Sequence, residues 1–221
     1  MPVIVNIETS TAICSVAVSE NGKCIFLKTS DIANSHSKML SLFVQEALAF
    51  KTPDAVAVSA GPGSYTGLRI GVSMAKGLCF GLNIPLIAVD TLAVLANSAK
   101  TGHASSLQCP MIDARRMEVY DAVFDAQGNK IRETSADIIE GNSFAELLEK
   151  NVMYFFGDGA EKCKAVITHH NARFIDNVTP SAENMISLAE KRFAEKQFED
   201  TAYFEPFYLK EFQATAPKSR I

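Results

Sequence analysis

Apolar and polar positions change period several times along the first hundred residues, and each change marks an element. Val3-Ile4-Val5-Asn6-Ile7 is a short apolar run, Cys14 to Ser19 alternates, and Cys24-Ile25-Phe26-Leu27 is apolar again after Glu20-Asn21-Gly22-Lys23. These spacings predict three antiparallel strands, the Asn-Gly pair supplying the positive φ angles of a tight hairpin turn. A helical period follows Asn34-Ser35-His36-Ser37 and runs to about Phe50, with Ser35 predicted as its N-cap. Ala55-Val56-Ala57-Val58-Ser59 reads as a buried parallel strand. A glycine-rich turn then leads into a helix over about 66–80, a second buried strand from Ile84 to Val89 and a helix from about Thr91.

The same order then begins again. Ile112-Asp113 stands where Ile7-Glu8 stood, Ala122-Val123 where Ala17-Val18 stood, and Gly128-Asn129-Lys130 where Asn21-Gly22-Lys23 stood. Val152 to Phe156 is again a buried strand, and Gly157-Asp158-Gly159 again predicts a lead into a helix. Two copies of one α/β unit facing across a cleft is the arrangement of the actin, sugar-kinase and Hsp70 superfamily. The expected fold class is therefore α/β, a two-lobed actin-like (ribonuclease H-like, duplicated) fold in which each lobe is a mixed sheet flanked by helices. Residues 1–100 are assigned to the first lobe and 101–200 to the second, with the segment 200–221 a candidate to join the first. A last helix is predicted over about Ala182 to Lys196. The aromatic run from Tyr203 to Leu209 is expected to be docked and buried, and Ala214 to Ile221 carries no pattern and is expected to be mobile.

Composition narrows the functional classes. Of 221 residues 48% are hydrophobic and 21% charged, enough for a sizeable core without staples. The net charge of −4 argues against a free-standing nucleic-acid binder, because neutralising phosphates needs clustered Lys and Arg. Five widely spaced cysteines without a C-x-x-C pair suggest reduced thiols, neither a disulfide framework nor a zinc site. No apolar run approaches the roughly 20 residues needed to span a bilayer, and no leader-like stretch opens the chain. A cytoplasmic protein without membrane contact is expected.

Three segments carry candidate chemistry. The turn Glu8-Thr9-Ser10-Thr11 stands where actin-like kinases place a phosphate-holding Asp-x-Gly-[Thr/Ser] hairpin. Its hydroxyls suit a phosphate, but the glycine that would let the backbone approach is missing; an acid at a strand end with Ser and Thr bonding their own turn is the other reading. Ile112-Asp113-Ala114-Arg115-Arg116 sets two cations beside an acid, as an anion or partner site or as an ordinary solvated turn. Gly61-Pro62-Gly63-Ser64-Tyr65-Thr66-Gly67 lies where a helix start could receive an anion, yet no Gly-Lys-[Ser/Thr] closes it and Pro62 lacks an amide.

The helices beside that turn carry more apolar surface than one sheet face can cover. From Leu68 to Phe80 the charged residues are Arg69 and Lys76, with Ser73 on the same stripe. Gly67, Gly71 and Ala75 recur every fourth position, giving a shallow face where another helix could approach. The preceding helix surrounds a narrow strip of Lys38, Ser41 and Gln45 with Met39, Leu40, Leu42, Phe43, Val44, Ala47 and Leu48. A helical subunit interface is expected from Met39, Leu40, Phe43, Gly67, Gly71, Met74, Ala75 and Leu78; the alternative is that the two helices cover each other. No two of the histidines His36, His103, His169 and His170 have the i, i+4 spacing of a helical metal pair, and no G-x-S-x-G elbow occurs.

Val5-Asn6-Ile7-Glu8-Thr9-Ser10, His36-Ser37, the run from Gly61 to Gly71 with Ala75-Lys76-Gly77-Leu78, and Ile112-Asp113-Ala114-Arg115-Arg116 with Glu118-Val119-Tyr120 closely resemble the TsaB (YeaZ) family, in order along essentially the whole chain. The links at Phe50 to Asp54 and Asn97 to Gln108 are shorter than that family usually has. The resemblance implies a subunit without its own chemistry, cofactor or metal, with Glu8, Thr9, Ser10, Thr11 and Asp113 lining a vestigial nucleotide cleft. It further implies dimerisation with a catalytic paralogue, TsaD, which transfers a threonylcarbamoyl group to N6 of the tRNA adenosine beside the anticodon, together with an ATPase, TsaE. Contact with tRNA would come only through that complex, and the same apolar face would form a homodimer in the absence of TsaD. The catalytic relative holds its metal through two histidines whose aligned positions here are Thr91 and Leu95, neither a competent pair. A nucleotide-binding hydrolase of the actin-like superfamily and an M22-type glycoprotease are the competing expectations.

Overall fold

The structure is a computed structural model that describes residues 2–32, 36–99 and 106–210. Two five-stranded sheets organise it. In the first, β1 (Val3–Glu8), β2 (Cys14–Glu20), β3 (Lys23–Ser30), β4 (Ala55–Gly61) and β5 (Leu86–Asp90) lie in the order β3-β2-β1-β4-β5. The second, of β6 (Leu107–Asp113), β7 (Glu118–Phe124), β8 (Lys130–Ile138), β9 (Met153–Phe156) and β10 (Ala172–Ile175), has the order β8-β7-β6-β9-β10. Both begin with two antiparallel pairings and end with two parallel ones. The repeat expected from the order of elements is thus a repeat of topology. The first hairpin turns on Asn21 and Gly22 at φ 57° and 72°, the left-handed geometry read from the Asn-Gly pair.

The helices differ more between lobes than the strands do. Helix α1 (His36–Phe50) and α2 (Tyr65–Leu82) cover one face of the first sheet, where Leu40, Phe43, Val44, Val72 and Ala75 pack on Val3, Val5, Ile7 and Val58. Ser64 caps α2 by accepting from the Gly67 amide at 3.3 Å, and Asn83 ends it in the left-handed conformation. The predicted cap Ser35 lies outside the described residues, as do His103 and the tail 214–221. Helix α3 (Thr91–Ser98), capped by Asp90 through the amides of Leu92 and Ala93, serves both lobes. Its Val94 packs in the first lobe with Ile87 and Val89, while Leu92 and Leu95 pack against Ile112, Ala122 and Phe156 of the second sheet.

Three expectations are corrected here. Helix α5 (Ala182–Ala194) falls within residues 101–200, the segment expected to form the second lobe. It lies on the first sheet instead, Met185 and Ala189 packing on Ile4, Ala55 and Ala57, because that face has apolar strand residues that α3 alone leaves uncovered. The helix expected after Gly157-Asp158-Gly159 is a single 3-10 turn, Glu161–Cys163, sufficient to bury Cys163 against the second sheet before β10 starts. A four-residue helix, α4 (Ala145–Leu148), stands in the other connection. The aromatic run after Tyr203 is docked but not buried: Phe204 packs on the first core, whereas Tyr203 is 84% exposed and Phe207 50%.

Among the described residues, no helix is long and apolar enough to cross a membrane.

Candidate functional site

Strand β1 delivers Glu8 to the edge of the lobe interface, but the side chain is enclosed. Its Oε1 accepts from both the amide and the hydroxyl of Ser10, at 2.7 and 2.5 Å, and Oε2 has no hydrogen-bond partner among the described residues. Complete burial raises the Glu8 pKa, and the Ser10 bonds only partly offset this. Thr9 is equally inaccessible, its Oγ1 donating to the Gly67 carbonyl at 2.8 Å. Of the five residues expected to line a nucleotide cleft, Glu8 and Thr9 are therefore sealed inside the first lobe. Ser10 and Thr11 border the cleft, although Ser10 exposes no surface and Thr11 only 9%. Ser10 and Thr11 bond within their own turn, to Glu8 and to the Ile13 amide, whereas Thr9 bonds the first turn of α2.

The cleft between the lobes has a volume of about 1080 Å³. Its first-lobe wall includes Pro62, Ser64 and Thr66; its second-lobe wall includes Asp113, Arg115, Arg116, Glu118 and Asp158. Asp113 is half exposed and ion-paired with Lys162, while its backbone amide donates to Asp158 Oδ1 at 3.0 Å. Arg115 and Arg116 both take left-handed backbone angles, φ 71° and 50°, in the turn joining β6 to β7. His36 Nε2 lies 2.9 Å from the Thr11 carbonyl, fixing the start of α1 to the first turn. The acids of the second wall are thus already engaged, Asp113 by Lys162, Glu118 by Lys210 and Asp158 by the Asp113 amide.

The small-residue stripe of α2 faces inward, not outward. A Cβ on Gly67 would lie 2.1 Å from the Thr9 carbonyl, and one on Gly71 2.2 Å from Thr9 Oγ1. Ala75, Leu40 and Phe43 are also buried in the first core. These five expected interface residues hold the lobe's own turn and helices together. Met39, Met74 and Leu78 are partly buried at the margin of that core. Met74 and Leu78 also line an open groove of about 560 Å³ between α1 and α2, with Ser37, Ser41, Arg69, Ile70, Ser73 and Gly77. Arg69, Ser73 and Ser41, the polar stripe residues of the two helices, line this groove and are absent from the expected interface set. Phe80, 86% exposed, continues the apolar surface at the end of α2.

Thr91 and Leu95 sit at the start of α3. The Thr91 hydroxyl accepts from the Gly61 amide at 3.2 Å, and Leu95 is packed in the core between the sheets. Among the described residues no group of three or more His, Cys, Asp or Glu could hold a metal ion.

Two equivalent mixed sheets around a cleft, with α3 shared between them, define a two-lobed protein of the actin-like class. A family model described as "TsaD: tRNA N6-adenosine threonylcarbamoyltransferase" matches residues 30–218. The chain belongs to that family, in its TsaB (YeaZ) branch. It is 29% identical to "tRNA threonylcarbamoyladenosine biosynthesis protein TsaB" of Haemophilus influenzae, over 92% of both chains. It is also 29% identical to the Escherichia coli protein of the same name, over 94% of both. The solved structure of YeaZ from Pseudomonas aeruginosa superposes with a TM-score of 0.82 at 28% identity, covering 95% of this chain and 100% of that one.

Proposed function

We propose that this chain is a scaffold subunit of threonylcarbamoyladenosine biosynthesis, docking the catalytic paralogue TsaD on the open face of α1 and α2 and carrying no transfer chemistry of its own. The groove between those helices carries this reading. Met74 and Leu78 offer apolar contact in its lining, and Ser37, Ser41, Arg69 and Ser73 offer polar contacts, the composition of a subunit interface. The names of the curated relatives support the pathway. The lack of own chemistry is supported by what the candidate residues do instead. Glu8 is locked on Ser10, the Thr91 hydroxyl is spent on the Gly61 amide, and Leu95 is part of the core.

In this reading TsaE and tRNA engage only the assembled pair, and a homodimer forms through the same groove when TsaD is absent. Met74→Glu places a charge in the groove. Loss of co-purification with TsaD, with the far-UV spectrum retained, is the expected result; undiminished co-purification would remove the docking face from the proposal.

A further inference from the structure

After α5 the chain returns across the first lobe as an extended segment whose attachments are mostly backbone hydrogen bonds. Lys76 Nζ donates to the carbonyls of Ala202 and Phe204 at 3.1 and 3.0 Å, and the Phe207 amide donates to the Ala60 carbonyl at 2.7 Å. The Tyr208 ring packs on Tyr65 with centroids 4.9 Å apart. The segment then leaves the first lobe, and Lys210 forms an ion pair with Glu118 at the start of β7. Phe207 to Lys210 form part of the cleft lining.

The glycine-rich turn is shaped around this segment. Gly61 has φ 108°, a left-handed angle that disfavours any side chain, and a Cβ there would lie 2.6 Å from the Phe207 carbonyl. The first glycine of the run thus serves neither a phosphate nor a helix; it admits the backbone of the returning chain. Phe204 packs on the first core, but beyond it little apolar surface is buried in the contact, Phe207 being 50% exposed. A segment held beyond Phe204 by a few hydrogen bonds, one ring contact and one ion pair opens without unfolding the core beneath it.

We propose that residues 205–210 are a releasable strap across the mouth of the interlobe cleft, hinged at Phe204, where Lys76 holds the first lobe, and clamped on the second lobe by Lys210. Released, the strap uncovers the cleft wall beside Ser64 and Tyr65 and frees the turn before Glu118. Hydrogen exchange with mass spectrometry on the full chain tests this, comparing the native protein with Lys76→Met/Lys210→Gln and with Lys210→Gln alone, an exposed change that leaves the fold intact. In the native protein the Phe207 amide is expected to be protected. The double variant should lose about tenfold of that protection and speed exchange at 62–67 and 113–118, with β1 and β4 unchanged; the single variant should show the same changes to a smaller degree. Three results would overturn the strap: no native protection at Phe207, strap release that leaves the cleft amides unchanged, or collapse of β1 and β4 together with the strap.

Discussion

Thr9, in the turn after β1, and Gly71, in the second turn of α2, approach so closely that a Cβ on the glycine would stand 2.2 Å from the threonine Oγ1. That oxygen cannot swing away without giving up its 2.8 Å hydrogen bond to the Gly67 carbonyl. Gly71→Ala should therefore destabilise the chain by about 2 kcal/mol through overpacking, even though alanine is the better helix former by nearly 1 kcal/mol. Thr9→Ala removes the obstructing atom, so Gly71→Ala should cost less in that background. Thermal melts of the four proteins of this cycle check it. A neutral Gly71→Ala, or strict additivity with Thr9→Ala, would refute the packing role.

Gly77, on the opposite side of the same helix, is the contrasting case. A Cβ there meets nothing within 4 Å. Gly77→Glu should leave stability unchanged or raise it by about 0.5–1 kcal/mol, while filling the groove beside Met74 and Leu78. Capture of TsaD in a pull-down is expected to fall sharply. A variant that melts normally and still captures TsaD at the native level would show that the groove is not the docking face.

Asp121 is expected to give the fold a pH dependence of unusual sign. It lies on β7 with no exposed surface, and burial, with Asp137 nearby, raises its pKa from 3.8 to about 7 against the opposing pull of Arg132. The folded chain thus holds a proton that the unfolded chain has released, so between about pH 4 and 7 this group's contribution to stability falls as pH rises. Asp121→Asn should match the native protein's pH slope only after that contribution is removed, and should be relatively more stable at pH 8 than at pH 5. Arg132 keeps Asp137 as a partner, which limits the loss. Denaturant melts of both proteins across this range decide it; a pH-independent difference between them would contradict the shift.

Thiol reactivity should separate one cysteine from four. Cys14, Cys79, Cys109 and Cys163 are buried and Cys24 is half-buried. Burial pushes Cys14, Cys79 and Cys163 up to about 11, and Cys109 well above its usual range. With a thiol-specific chromogen at pH 8, at most Cys24 should react before unfolding and all five after denaturation. Rapid labelling of a second native thiol would contradict this burial pattern.

Strands β1 to β5 and helices α1 to α3 were legible because each is a local statement: an apolar run of one period, bounded by Asn21-Gly22, Ser64 or Asp90. The glycine-rich run identified the family for a related reason, since it is a string of local backbone demands. What each glycine is for was not local. Gly61 answers to Phe207, and Gly67 and Gly71 answer to Thr9, residues far away in the chain that periodicity cannot pair. The same limit moved Glu8 from an expected cleft wall into the interior and α5 from the second lobe to the first. By itself the sequence determined the elements of the first lobe, the duplicated order of the strands and the family. The tertiary structure alone decided which helix face is open and which residues are sealed, because burial depends on what the rest of the chain brings up against a residue, and those contacts are set by packing across long separations.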